Sequence, residues 1–138
     1  MKVLSLPFTK KMGIKRSVSS EYLLQIDTNQ KLYNHLGTIH ASASYALAET
    51  TSGYLLQSNF SDIADQTIPI LRSSNVKYKK GETGNLFSTA KFVGTTASEI
   101  LQVLKQKRRV LITINVKLYN EQKELVMSGD YEWFVTLP

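Results

Sequence analysis

The segment with the smallest side chains places the strongest limit on how this chain can fold. Residues 38–57 are rich in Ala, Ser, Thr and Gly. Apolar residues recur there at about helical spacing, at Ile39, Ala43, Ala46, Leu47 and Tyr54. We therefore predict one long helix over residues 38–57. Because its small side chains let other backbone approach closely, this helix is suited to being wrapped by a sheet.

Most of the remaining chain has strand patterns. We predict strands at residues 22–26, 67–79, 86–93, 110–119 and 125–137. Pro69 limits the start of the second strand to an edge position or to no strand, because proline cannot donate to a sheet ladder. Thr96 and Glu99 fit a capping box at the start of a short helix that ends near Lys107. Residues 120–123 are the predicted turn of a hairpin.

The order of these elements defines the fold class. One strand precedes the long helix and four strands follow it, which is an α+β arrangement with a mostly antiparallel sheet. The 138 residues fit one domain, 1–138, of ordinary globular composition. Residues 1–20 form an N-terminal extension with a short helix predicted at residues 6–14, where Pro7 is acceptable in the first turn.

The turn before the long helix and one acid inside that helix indicate a reactive site. Residues 34–41 read Asn-His-Leu-Gly-Thr-Ile-His-Ala, and Glu49 follows on the helix. The side chains one helical turn from Glu49 include no cation. A carboxylate against an apolar face has a raised pKa and can act as a base or a nucleophile. The alternative is an ordinary exposed helix glutamate.

His40 and Glu49 cannot easily share a site within one helix. They are nine positions apart, which places them on nearly opposite sides and roughly 13 Å apart along the axis. Two chains related by a two-fold axis can bring such residues together. The spacing therefore favours a site formed between two subunits.

The pattern Asn-x-x-Gly-Thr-x-His at residues 34–40, with an acid nine residues after the His, resembles the hotdog-fold acyl-CoA thioesterases, especially the phenylacetic-acid-degradation type. The resemblance covers nearly all residues after about Tyr22. It implies a hotdog fold, in which an antiparallel sheet wraps one long central helix. It also implies an obligate dimer or a dimer of dimers. The implied reaction is hydrolysis of an acyl-CoA or acyl-carrier-protein thioester without a metal or another cofactor.

The resemblance assigns a role to each residue of the pattern. Glu49 of one chain activates a water or attacks the thioester directly. The backbone N–H of Ala41 holds the developing oxyanion at the helix N-terminus. Asn34 positions the water or the thioester carbonyl, or else only holds the turn. Gly37 permits an unusual backbone angle or close approach to a ligand, and His40 holds the turn rather than acting as a general base.

Some residues depart from the family pattern or extend it. Ala41 and Ser42 stand where relatives usually have glycines, which leaves the backbone N–H in place but reduces the space for the thioester. A hydroxyl on the strand after the helix assists the water in some relatives. The candidates for this hydroxyl are Thr67, Ser73 and Ser74.

The excess of basic residues has two interpretations. It keeps the protein soluble, or it binds an anionic ligand. The net charge is +6. The residues that we expect to hold the phosphates of CoA are Lys77, Lys79, Lys80, Arg108 and Arg109. A nucleic acid is the least favoured partner, since the basic groups lack interleaved aromatic residues or a helix-turn-helix pattern.

Several classes of function are excluded or ranked lower. The chain has no cysteine, which excludes disulfides, thiolate zinc sites and a cysteine nucleophile. Lys10 and Lys11 interrupt the apolar start, so we expect no signal peptide, no membrane span and a cytoplasmic location. The first rival to a thioesterase is a hotdog module that binds acyl-CoA without turnover. A hydratase and a nucleic-acid-binding protein rank below it.

Overall fold

A computed structural model of the protein describes residues 2–138. Its strands are β1 (Ile14–Arg16), β2 (Leu24–Ile26), β3 (Ile68–Tyr78), β4 (Leu86–Phe92), β5 (Arg109–Tyr119) and β6 (Leu125–Thr136). Its helices are α1 (Pro7–Met12), α2 (Ala41–Asn59) and α3 (Ala97–Lys107). Short 3-10 turns occur at Val3–Ser5, Gln30–Leu32 and Ala64–Gln66.

The strands form one antiparallel sheet in the order β1-β2-β4-β5-β6-β3, and α2 packs against four of them, β2, β4, β5 and β6. The predicted α+β class, with a sheet around one long helix, is confirmed. Two polar side chains of α2 inside the core, Thr51 and Ser52, are paired, as most buried polar groups are. The Thr51 hydroxyl lies 2.7 Å from Ser88 Oγ, and Trp133 Nε1 donates to Ser52 Oγ at 2.9 Å.

The central helix begins three residues later than the predicted start at residue 38. His40 has an extended backbone and accepts a hydrogen bond from the Ser42 N–H at 3.0 Å, so it is the N-cap. The prediction was wrong here because Ile39 pairs with Tyr33 in an isolated β-bridge, which keeps residues 38–40 out of the helix. The helix ends at Asn59, two residues beyond the prediction.

The N-terminal region contains a strand that the sequence did not indicate. β1 pairs with β2 and gives the sheet six strands where five were expected. Its three residues include two exposed cations, so no alternation marks it. The preceding helix α1 agrees with the predicted short helix, with Pro7 in its first turn, and Gly13 ends it at a φ of 75°.

The other predicted elements agree with the structure to within two residues. In the predicted capping box, the Glu99 N–H donates to Thr96 Oγ1 at 3.2 Å. The Glu99 carboxylate, however, accepts from the Thr95 hydroxyl rather than from the Thr96 N–H. The predicted hairpin turn joins β5 to β6, with Lys123 at a φ of 63°.

One edge of the sheet is long and has no partner strand within residues 2–138. Among the described residues, the eleven of β3 pair only with β6, so their other side has no partner strand. Three large side chains along β3 are about half exposed, Ile68 at 53%, Ile70 at 55% and Tyr78 at 49%. Pro69 lies in this edge strand, which is the position that proline tolerates.

Candidate active site

Glu49 lies near the middle of α2 and lines an apolar cavity of about 490 Å³. Its walls come from the N-terminal segment, from the helices α2 and α3, and from residues of the strands β3, β5 and β6. Of the described residues that line this cavity, Glu49 is the only ionisable one. A single half-buried carboxylate therefore faces an otherwise apolar space.

The surroundings of Glu49 favour its protonated form. Within residues 2–138, no side chain or backbone group donates a hydrogen bond to its carboxylate or forms an ion pair with it. Burial raises the pKa of Glu49 above the ordinary value of 4.5, because the charged form loses solvation that nothing replaces. The carboxylate is consequently a stronger base than an exposed glutamate, as a residue that takes a proton near neutral pH must be.

The turn before α2 is held by the side chain of Asn34. Its Oδ1 accepts from the N–H groups of Leu36 at 2.9 Å and Thr38 at 3.1 Å, and its Nδ2 donates to Thr38 Oγ1 at 2.9 Å. Gly37 has a φ of 73°, and an added Cβ would meet nothing within 4 Å. This geometry favours the turn-holding role for Asn34 and the backbone-angle role for Gly37.

The first turn of α2 leaves one backbone donor free. The Ser42 N–H donates to His40 Nδ1, and the N–H groups of Ala43 and Ser44 both donate to the His40 carbonyl, at 2.9 and 3.1 Å. The Ala41 N–H has no acceptor within residues 2–138. Since it lies at the positive end of the helix dipole, it is available to a negatively charged oxygen. The imidazole of His40 is occupied as a cap, in agreement with a structural role.

The free N–H and the acid face different cavities. A second cavity, of about 310 Å³, is lined by Asn34, Ala41, Tyr78, Lys79 and Lys80, among other residues, and not by Glu49. Glu49 in turn lines the apolar cavity described above, which Ala41 does not line. One chain thus separates the predicted acid from the predicted oxyanion donor, as their spacing along the helix suggested.

The expected phosphate-binding cations fall into two exposed groups. Lys77, Lys79 and Lys80 lie at the Tyr78 end of β3, and Lys80 forms an ion pair with Glu124 at 3.1 Å. Arg108 and Arg109 lie at the opposite end of the sheet. Arg109 pairs with Thr136 of β6, which pairs on its other side with Ile68 of β3. A single chain does not bring the two groups together.

A tyrosine of β6 was missed by sequence reasoning. Tyr131 is fully buried on the inner face of the sheet, and its hydroxyl has no hydrogen-bond partner among residues 2–138. Its ring lies 5.5 Å from that of Tyr45, which is one helical turn before Glu49. Burial raises the pKa of Tyr131, and the nearby groups Tyr45, Tyr78 and Glu49 raise it further. The alternation of β6 predicts a buried side chain here, but no sequence signal marks its nearness to Glu49.

The three candidate hydroxyls have different partners. The Thr67 hydroxyl donates to the Ala64 carbonyl at 2.9 Å, and Ser73 Oγ donates to Glu132 at 3.3 Å. Ser74 Oγ lies 3.0 Å from the Tyr45 hydroxyl. Thr67 lines the cavity of Glu49, and Ser74 is linked through Tyr45 to the same face of α2, so both remain candidates.

Two further features of the described residues bear on cofactors and membranes. Residues 2–138 contain no group of three or more His, Asp or Glu side chains placed to hold a metal ion. In the same part of the chain, no helix combines the length and the apolar character needed to cross a bilayer.

An antiparallel sheet packed around one long helix is the hotdog fold, and this chain has that arrangement, with the two cavities along the helix. The chain belongs to the family described as a domain of unknown function (DUF4442), whose model matches residues 4–135. No match was found among curated proteins.

Solved structures share the fold over nearly the whole chain. A protein of unknown function from Pseudomonas aeruginosa, named a probable thioesterase, is 17% identical with a TM-score of 0.82, and the match covers 99% of this chain and 91% of that one. A thioesterase from Haemophilus influenzae is 14% identical with a TM-score of 0.73, covering 98% and 86%. A Bacillus halodurans protein solved with CoA is 21% identical with a TM-score of 0.64, covering 81% and 65%. At these identities the likeness shows the fold, and the predicted hotdog fold is confirmed.

Proposed function

We propose that the protein is a thioester hydrolase that acts on acyl-CoA, or on acyl-carrier protein, as a two-fold dimer. The observation that supports this most is Glu49, a carboxylate of raised pKa that has no partner among residues 2–138 and faces an apolar cavity. Proteins of the same fold are named as thioesterases, and one was solved with CoA, which agrees with the proposal. A cytoplasmic location and the absence of a resident cofactor belong to the same proposal.

The dimer in this proposal forms through the free edge of β3. Two copies of a strand that pair antiparallel about a two-fold axis bring the end of one beside the start of the other. Thr67 and Ile68 line the Glu49 cavity, whereas Tyr78 and Lys79 line the cavity of the Ala41 N–H. Pairing along β3, about 36 Å long, would therefore join the acid-bearing cavity of one subunit to the turn of the other. In a dimer of dimers, each dimer would still pair through β3.

Hydrolysis would proceed with the two subunits supplying different groups. The Ala41 N–H of one subunit polarises the thioester carbonyl, and the positive end of α2 stabilises the oxyanion that forms. Glu49 of the partner subunit takes a proton from a water whose oxygen attacks the carbonyl carbon. The C–S bond then breaks, and the CoA sulfur receives that proton. In the other route, a Glu49 carboxylate oxygen attacks the carbonyl carbon, the C–S bond breaks, and CoA leaves as the thiolate. Water then hydrolyses the resulting anhydride, which restores the Glu49 carboxylate and releases the carboxylic acid, whose proton neutralises the thiolate.

The same pairing would unite the two cation groups. Lys77 and Lys79 at the end of one β3 would lie at the same end of the joined sheet as Arg108 and Arg109 of the partner subunit, which are separated from the start of the other β3 by one strand, β6. Exposed cations of this kind suit the phosphates of CoA. Lys80 is less available, because it is paired with Glu124.

Binding of acyl-CoA without turnover is the alternative, and one observation favours it. The Oδ1 atom of Asn34 and one of its two amide N–H groups are used inside the turn, so only the second N–H is left to orient a water. Together with Ala41 and Ser42 in place of glycines, this leaves fewer groups for catalysis than the resemblance implied.

The experiment that separates these functions is thiol release from a panel of acyl-CoAs. Wild type is compared with Glu49→Gln and with Glu21→Gln, which changes an exposed glutamate that pairs with Lys123 far from α2. We expect turnover by wild type and by Glu21→Gln, and its loss in Glu49→Gln. No thiol release from any ester, with CoA esters still raising the melting temperature, would establish the binding module instead.

A further inference from the structure

The apolar cavity follows α2, and Glu49 is the first position of this helix that lines it. The lining positions continue from Glu49 to Phe60, the C-cap that follows Asn59. Eleven helical positions correspond to about 16 Å along the helix axis. Beyond Glu49 the described lining residues are apolar or uncharged, so this space offers no ionic partner to a polar acyl group.

The N-terminal segment closes one side of the cavity. Val3, Leu6, Phe8 and Thr9 line it, and we call these four residues the N-terminal wall. The Val3 N–H donates to Gln57 Oε1 of α2 at 2.8 Å, which fixes the segment to the central helix. Thr9 is buried, whereas Phe8 is 59% exposed and so lies at the rim.

A glycine keeps the cavity open next to the carboxylate. Gly53 is one helical turn after Glu49, and a Cβ added there would lie 3.7 Å from Trp133 and 3.9 Å from Val3, which are ordinary contacts. Alanine would therefore fit at this position and would favour the helix. The packing around residue 53 therefore does not require glycine, and the missing side chain leaves space in the cavity.

We propose that this cavity binds the acyl chain of the substrate as a linear saturated chain, that Gly53 leaves the space through which the chain passes, and that the N-terminal wall limits how much chain the cavity holds. Because an extended alkyl chain advances about 1.25 Å per carbon, a chain of about thirteen carbons is needed to extend along the 16 Å of helix. A space of this length suits such a chain better than a phenylacetyl group, whose ring would fill only the part next to Glu49. This inference rests on the proposed function, because it places the thioester at Glu49.

The test is the dependence of kcat/KM on chain length. Each buried methylene group contributes about a four-fold increase in binding. For wild type we expect kcat/KM to rise steeply from acetyl-CoA to about dodecanoyl-CoA, to level off or fall by palmitoyl-CoA, and to be low for phenylacetyl-CoA. Gly53→Leu should move the optimum to shorter chains, and Leu6→Ala to longer ones. The matched control is Leu111→Ala, which truncates a leucine that is 51% exposed beside the lining residue Ile112 and should keep the wild-type optimum.

Binding to Glu49→Gln, measured by calorimetry with the same acyl-CoAs, separates this inference from the proposed hydrolysis. No thiol release by wild type, with affinity that rises with chain length and is lost in Gly53→Leu, would overturn the hydrolase and keep the acyl cavity. Turnover that is independent of chain length, or highest for phenylacetyl-CoA, would overturn the acyl cavity and keep the hydrolase. If Gly53→Leu does not fold, Gly53→Ala replaces it, and an unchanged response to the longest chains in that variant would also count against the inference.

Discussion

At the scale of single residues, the candidate site depends on one unpaired donor and one unpaired acid. The donor is the Ala41 N–H, the only backbone donor in the first turn of α2 without an acceptor among residues 2–138. The acid is Glu49, whose pKa burial raises. Each can be altered with little change to the fold, which makes the two residues separately testable.

Ala41→Pro should remove the donor and keep the helix. Proline is accepted at the first helical position, and the extended backbone of His40 suits a residue that precedes proline. Because a lost oxyanion donor lowers kcat by about 100- to 1,000-fold, we expect a reduction of that size with unchanged circular dichroism. The control is Ala41→Ser, which keeps the N–H and should retain most activity. Equal activity of Ala41→Pro and wild type would remove Ala41 from the mechanism.

Glu49→Gln should be at least as stable as wild type at neutral pH. The pKa of Glu49 is higher in the folded chain than in the unfolded one, so the folded state binds the proton more tightly. The contribution of Glu49 to the free energy of unfolding is therefore full below pH 4.5 and is lost as the pH rises through the raised folded pKa. Melting temperatures of both proteins, measured from acidic to neutral pH, should diverge in favour of the variant. If Glu49→Gln were less stable than wild type at neutral pH, the Glu49 carboxylate would have a stabilising partner in the folded protein.

At the scale of elements, the free edge of β3 determines how two chains can meet. A long strand with exposed apolar side chains and no partner strand is a surface that another strand can extend. Natural edge strands that avoid pairing often have charged side chains, and β3 has two, Arg72 and Lys77. At the start of the strand, however, the exposed residues Ile68 and Ile70 are apolar. The element thus has the properties of an interface.

Ile70→Lys should produce a monomer, because the introduced charge would be buried between two copies of β3. Light scattering coupled to size exclusion gives the mass directly, and turnover should fall with the dimer. Leu111→Lys places the same charge on a similarly exposed side chain of β5 and should leave the mass of the dimer unchanged. A dimeric Ile70→Lys protein would show that another surface mediates assembly.

At the scale of the whole molecule, local patterns predicted the fold better than they predicted the site. The small residues of α2 and the alternation of β5 and β6 were sufficient for the α+β arrangement, because they reflect periodicity within one segment. The start of α2 was misplaced because His40, rather than a Ser, Thr, Asp or Asn, caps it. The apolar setting of Glu49 was anticipated from its helix neighbours. The cavity was not, because its walls come from segments as far apart in sequence as Val3 and Val135.

The separation of the acid and the donor into different cavities of one chain has a consequence for mixtures of inactive proteins. A hybrid of Glu49→Gln and Ala41→Pro subunits would contain one site with both substitutions and one site with neither. Coexpression or joint refolding in equal amounts makes about half of all dimers hybrid. About a quarter of wild-type activity should then appear from two variants that are inactive alone. No recovery from a verified hybrid would place both groups of each site in the same chain.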